Sequence, residues 1–356
     1  MSQRGGGPEP VSGQAAPASR VRQWQNVDAR LFREEISTLN QPAVLRGLVR
    51  DWPAVRTAAE SPQAVATYLR GFDTGRPIEA FFGRPEIRGW FSYSEDLRSF
   101  NFERRELPFG EFVDLLLRQL EDPDPGSFYA GAVRIPQVLP GLLAKHGHEL
   151  LEASTEQLVS LWIGNRARTA AHFDLPQNLA CVISGRRRFT VFPIEQLPNL
   201  YVGPLDFTPA GQAISLVDFH AADFNRFPRF REALRHAQVA ELEPGDALYL
   251  PSLWWHHVES LDAFGAMINF WWRDAPAYMF TPMITLMHAL LSLRELPERE
   301  RAAWRTVFDH YIFGVNGDPM EHLPEDARGI MGEMTPERVT RLRHYLAKSL
   351  VGHGKS

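Results

Sequence analysis

Between Ser127 and Trp272 the chain is a succession of short apolar, β-branched and aromatic runs cut by turn residues, and helical periodicity almost vanishes. The runs are SFYAGAV, LVSLWIG, NLACVISG, RRFTVFP, DALYLP, HHVESL and AMINFWW. Many short strands at close spacing suit an antiparallel barrel or a two-sheet sandwich, in which each strand buries one face and soon turns back. ACVISGRRRFTVFP predicts a hairpin turning at Ser184–Gly185. The interval 201–242 breaks the rhythm and reads as an insertion with a short helix around FREALRHA.

The flanks have a different texture. Residues 1–20, rich in Gly, Pro, Ser and Ala and without an apolar segment, predict a disordered tail and no secretory signal. Residues 21–125 predict an α/β extension. It holds a strand at Ala43–Leu45, a helix with Ser61 as N-cap and Pro62 at its first position, and a helix in PFGEFVDLLLRQL. The β-rich core then spans 126–275, and 276–352 turns helical. TPERVTRLRHYLAKSLVG shows Thr335 as N-cap and a stripe of Val339, Leu342, Leu346 and Leu350. Such stripes either pack on the β-core or make a homodimer interface, and a homodimer through the C-terminal helices is expected.

Composition narrows the class. With 44% apolar and 23% charged residues, the 356-residue chain can build a large core. A net charge of -5 argues against a dedicated nucleic-acid binder. The single cysteine, Cys181, excludes an internal disulfide and gives no support to an oxidising compartment. The longest apolar stretch, YMFTPMITLMHALLSL, contains a proline and a histidine and falls short of a membrane span, so the cytoplasm is the default location.

The chemistry concentrates in TAAHFDLPQN. In an extended strand residues i and i+2 share a face, so His172 and Asp174 point together while Phe173 points away. A third ligand must come from another strand, and GDALYLPSLWWHHVES offers His256 or His257. Strand alternation turns one inward and the other outward without saying which. Two histidines and a carboxylate form the facial triad of non-haem Fe(II) sites, and catalytic zinc uses the same set. The remaining histidines have no such context and read as surface or satisfied core groups.

Together, TAAHFDLPQNLACVISGRRRFTVFP and GDALYLPSLWWHHVESL with INFWW resemble the JmjC-type cupin hydroxylases, in particular their factor-inhibiting-HIF-like, or cupin-like, branch. AVLRGLVRDWPAV resembles the opening of that branch and VDFHAADFNRFPRF its insertion, so the resemblance runs from Trp24 to Trp272. It implies a mainly β core, a double-stranded β-helix or jelly roll, that binds Fe(II) and uses 2-oxoglutarate and O2 as cosubstrates. Carried over by position, the metal ligands are His172, Asp174 and His256, because the family's distal histidine directly follows a tryptophan. Tyr129, Thr169, Asn178 and Asn269 fall where the branch contacts 2-oxoglutarate, and Arg187 falls where close relatives have lysine. If Arg187 faces the interior, Phe189 and Val191 do too, while Arg188 and Thr190 face out. Trp90, Phe91, Tyr93 and Trp254 are expected in the substrate cleft, with Trp255 filling the core.

The implied reaction is hydroxylation of a C–H bond coupled to decarboxylation of 2-oxoglutarate to succinate. The expected substrate is a protein or peptide side chain. Alternatives are a small molecule, a tRNA base, N-methyl demethylation by the same chemistry, or a cupin whose metal is structural or is zinc or manganese.

Overall fold

The computed structural model describes residues 18–352, in one unit running to Arg273 and a second beginning at Asp274. Most of the expected tail, residues 1–17, lies outside the described residues. Its last two residues are not tail: Ser19–Arg20 forms a short strand parallel to Gln238 and Val239.

The first unit is built on two sheets. A six-stranded sheet runs in the order Ser19–Arg20, Gln238–Leu242, Arg187–Phe192, Trp255–Ser260, Arg168–His172, Trp90–Phe91. A nine-stranded sheet runs Arg22–Gln25, Ala43–Arg46, Ala247–Leu250, Gln177–Ser184, Gly265–Trp272, Leu158–Gly164, Ser127–Arg134, Pro77–Gly83, Phe102–Pro108. From Leu158 to Trp272 the chain passes repeatedly between the sheets, which makes the double-stranded β-helix expected from the sequence. Inward residues of both sheets, among them Phe189, Val191, Val258, Leu248, Leu250 and Met267, close the interior. Alternation is plain in Arg187–Phe192, where Arg187, Phe189 and Val191 are buried and Arg188 and Thr190 are not.

The outer face of the nine-stranded sheet is covered by helices of the extension. Pro62–Arg70 starts where Ser61 accepts a hydrogen bond from the Ala64 amide at 3.0 Å. Phe109–Arg118 buries Phe112 and Leu116 in a core shared with Leu69, Ile183 and Ile268. Each such side chain is worth about 1.5–3 kcal/mol on burial.

Two expectations are corrected. Gly185 does turn the chain, with φ of 68°, and a β-carbon there would lie 2.4 Å from the Phe264 carbonyl oxygen. The strands it joins are not a hairpin, however. Gln177–Ser184 pairs with Ala247–Leu250 and Gly265–Trp272, whereas Arg187–Phe192 pairs with Gln238–Leu242 and Trp255–Ser260. Crossing between sheets sets the apolar faces of the two strands against each other, while a hairpin would leave them side by side. The insertion is also shorter than 201–242, because Gln238–Leu242 is a barrel strand. Its helix, Phe230–Arg235, lies where expected.

The second unit contains the helices Pro282–Ser292, Glu298–Tyr311 and Pro336–Gly352. Thr335 Oγ1 accepts a hydrogen bond from the Arg338 amide at 3.3 Å at the start of the last helix. Among the described residues, no helix is long and apolar enough to cross a membrane.

Candidate metal centre

Strand pairing assembles the site. Arg168–His172 lies antiparallel to Trp255–Ser260 with His172 directly opposite His256, and the ladder is irregular just past that pair, between His256 and Val258. The two imidazole rings come within 4.3 Å, centroid to centroid. Asp174, two residues beyond His172, sets Oδ1 4.0 Å from His172 Nε2 and Oδ2 3.5 Å from His256 Nε2. One ligand atom from each residue falls within 4.8 Å of the others, and among the described residues no other group of three His, Cys, Asp or Glu side chains does so.

Backbone contacts aim these groups. His172 Nδ1 lies 2.9 Å from the Ala170 carbonyl oxygen, and His256 Nδ1 lies 3.0 Å from that of Trp254. A carbonyl only accepts, so Nδ1 carries a proton in both rings, and Nε2 is the ring atom that each turns toward Asp174. The loop after His172 is tied to the loop before His256. The Leu253 amide donates to the Asp174 carbonyl at 2.9 Å, and Ser252 Oγ donates to that of Leu175 at 2.6 Å. Leu253 adopts φ of 67°, a left-handed conformation held by this tie.

Electrostatics favour a cation. Burial, then the neighbouring His256, pushes His172 down to about 4, so it is neutral at pH 7. Burial alone would raise the Asp174 carboxyl, but the hydrogen bond from His256, with the electrostatic influence of the two histidines beside it, outweighs burial and holds the group below its ordinary value. A neutral His172 beside an ionised Asp174 is the pairing a divalent metal needs. His257 points to the opposite side of the strand. It is fully buried and stacks on Phe219 at 4.4 Å, with Trp90 at 6.0 Å.

A cleft of about 380 Å³ opens onto His172 and Asp174. Tyr129, Thr169 and the rings of Phe81, Phe91, Trp162 and Trp271 line it, and the insertion adds a wall from Pro209 to Gln212 with Ile214.

Residues 29–278 match the model of the cupin-like domain family. The chain belongs to the cupin-like family, of JmjC type. It is similar to the lysine-specific demethylase JMJ31 of Arabidopsis thaliana, 26% identical over 71% of this chain and 50% of that protein. It is also similar to human HSPB1-associated protein 1, 29% identical over 76% of this chain and 56% of the relative. The tRNA wybutosine-synthesizing protein 5 of Gallus gallus is 30% identical over 36% of this chain and 42% of its own length. The chain spans about half the length of the first two relatives.

In this cupin-like barrel the residues expected to hold 2-oxoglutarate divide into two groups. Tyr129 and Thr169 are on the cleft wall; burial, opposed by the charge of Arg187 and by the neighbouring Thr169, raises the Tyr129 phenol. Arg187 is buried; among the described residues its hydrogen bond is a long one from Nη2 to the Trp162 carbonyl at 3.4 Å, and its Nε has no partner there. No carboxylate among the described residues pairs with it, and burial lowers its affinity for the proton. An unmatched interior guanidinium is costly and suits an anion brought in from outside. Asn178 and Asn269 are bonded to the scaffold: Asn269 accepts from Trp162 Nε1 at 2.6 Å and donates to Asn178 Oδ1 at 3.4 Å.

Of the residues expected in the substrate cleft, Phe91 lines it, while Trp90, Tyr93 and Trp254 do not. Trp90 sits on the other side of its two-residue strand, facing Arg168 and His257. Tyr93 donates its hydroxyl to the Phe207 carbonyl at 2.6 Å and so anchors the insertion. Trp254 donates to the Asn40 carbonyl at 3.1 Å, and Trp255 fills the core. Trp162 and Trp271 were missed although parity marks them: Trp162 faces inward Met267, and Trp271 lies two residues past Asn269. The insertion wall carries no periodic signal.

The opposed directions of the adjacent histidines are testable. His256→Ala should abolish stoichiometric Fe(II) binding measured anaerobically, whereas His257→Phe should retain it. Equal loss in both variants would contradict this assignment.

Proposed function

We propose that this chain is an Fe(II)- and 2-oxoglutarate-dependent oxygenase that hydroxylates a C–H bond, with a protein or peptide side chain as substrate. The observation that carries the reading is the convergence of three metal-competent groups beside a cleft, with a buried, acid-less arginine in the same barrel. His172 Nε2, His256 Nε2 and an Asp174 oxygen hold the metal; Arg187, with Tyr129 and Thr169, holds the far carboxylate of 2-oxoglutarate. Asn178 and Asn269 brace the wall next to it. When bound, the iron and cosubstrate supply the O2-activating chemistry that converts 2-oxoglutarate to succinate and CO2 and oxidises the substrate.

Charge balance supports this assignment. A divalent metal with one carboxylate leaves about +1, dianionic 2-oxoglutarate takes it to about -1, and Arg187 restores neutrality, as a dry interior demands. The chain's own part is to fix the imidazole tautomers, keep Asp174 ionised and neutralise the acid. The aromatic walls keep water from the reacting centre. Relatives named as a lysine-specific demethylase and as an HSPB1-associated protein favour a protein substrate, and the first of these names keeps N-methyl groups among the targets.

Anaerobic protein given Fe(II) and 2-oxoglutarate should develop a metal-to-ligand charge-transfer band, and O2 should then release succinate. A wild-type protein with neither signal, and with metal content equal to that of His172→Ala, would sink the oxygenase reading. Arg187→Lys should weaken 2-oxoglutarate by roughly tenfold while sparing Fe(II), because lysine cannot replace a bidentate fork. Parallel loss of metal would place Arg187 elsewhere in the mechanism. We further propose a homodimer through the C-terminal helices, whose Leu286, Leu291, Leu346 and Leu350 are exposed. Light scattering at micromolar concentration should give twice the chain mass, and a monomer would remove the idea.

A further inference from the structure

Arg187 shares its part of the barrel with a second stranded polar group. Ser260 lies directly opposite it across the strand pair. Its Oγ is buried and has no hydrogen-bond partner among the described residues, as is true of Arg187 Nε. The two-residue period that turns His256 inward passes through Val258 to Ser260, so Ser260 faces the same interior. On the facing sheet stands Gly265. A β-carbon there would lie 3.4 Å from Ser260 Oγ and 3.8 Å from Arg187 Nη2. Hydroxyl and guanidinium therefore border one small space that a side chain would otherwise fill.

A buried hydroxyl normally finds a backbone or side-chain partner, and leaving it without one is costly. Here each of two opposed residues carries an unmatched donor, and the Ser260 hydroxyl and the Nη2 end of the Arg187 guanidinium meet the same gap. A single external acceptor with two oxygens answers both. Arginine takes a carboxylate through its fork, and a neighbouring hydroxyl can donate to a remaining lone pair of the same group.

We propose that Ser260 is a further binding residue for the far carboxylate of 2-oxoglutarate, acting with Arg187, and that Gly265 keeps the seat open. The proposal rests on the oxygenase reading above. It predicts that Ser260 discriminates an acid with a distal carboxylate from a chelating acid without one.

The test is anaerobic calorimetry on the Fe(II)-loaded full chain, with 2-oxoglutarate and, separately, oxalate, which has no distal carboxylate. Ser260→Ala should bind 2-oxoglutarate roughly tenfold or more weakly, the usual consequence of losing a hydrogen bond to a charged group, with oxalate affinity and Fe(II) content unchanged. Gly265→Ala, whose new methyl occupies the seat at ordinary contact distances, should show the same selective loss and serves if Ser260→Ala does not fold. Unchanged 2-oxoglutarate binding in both variants, or parallel loss of oxalate, would overturn the role of Ser260 and leave the oxygenase reading intact. Failure of the wild-type chain to bind 2-oxoglutarate at all would instead overturn that reading, and this proposal with it.

Discussion

The pairing of His172 with His256 across two antiparallel strands is the contact on which the site depends. Register in a sheet is all or none: a slip of one residue would turn His256 away and bring His257 in. That slip would force Arg187, Phe189 and Val191 out of the interior on the neighbouring strand, since their inward parity is locked to the same ladder. The apolar residues of the barrel thus fix the position of the candidate ligands. The loop ties from Ser252 and Leu253 then set where Asp174 sits at the end of its strand.

Burial gives the site its chemistry. In water His172 would be partly protonated near neutral pH; in the barrel it is neutral, while the hydrogen bond from His256 holds the Asp174 carboxyl below its ordinary value against the effect of burial. The same low-dielectric interior makes Arg187 and Ser260 expensive as they stand. Groups placed at such cost cluster where a ligand is expected to supply the missing partner. The outward His257 has no such outlet and is stacked among rings, which shows how differently two adjacent histidines are used.

The cleft is made by parts of the chain that are far apart. Phe81 and Phe91 come from the extension, Trp162 and Trp271 from neighbouring barrel strands, and Pro209 to Gln212 from the insertion. Tyr93, expected to line it, instead holds the insertion through the Phe207 carbonyl, so it shapes the wall from behind. Which aromatic residue lines the cleft and which supports it is set by strand parity and by the insertion's path.

From local sequence pattern came a β-rich core of barrel or sandwich type, the capped helices at Ser61 and Thr335, the His172–Asp174 pair and the alternation that ties Arg187 to Phe189 and Val191. All of these follow from local periodicity, capping chemistry or i, i+2 geometry, which short stretches of chain carry in themselves. Adjacent His256 and His257 were indistinguishable at that level, and only a resemblance chose between them. Tertiary structure decided their directions, the crossing at Gly185 between sheets, the strand at Gln238–Leu242, and the meeting of Arg187, Ser260 and Gly265. These depend on which strands lie side by side, a property of long-range register that no local pattern of residues encodes.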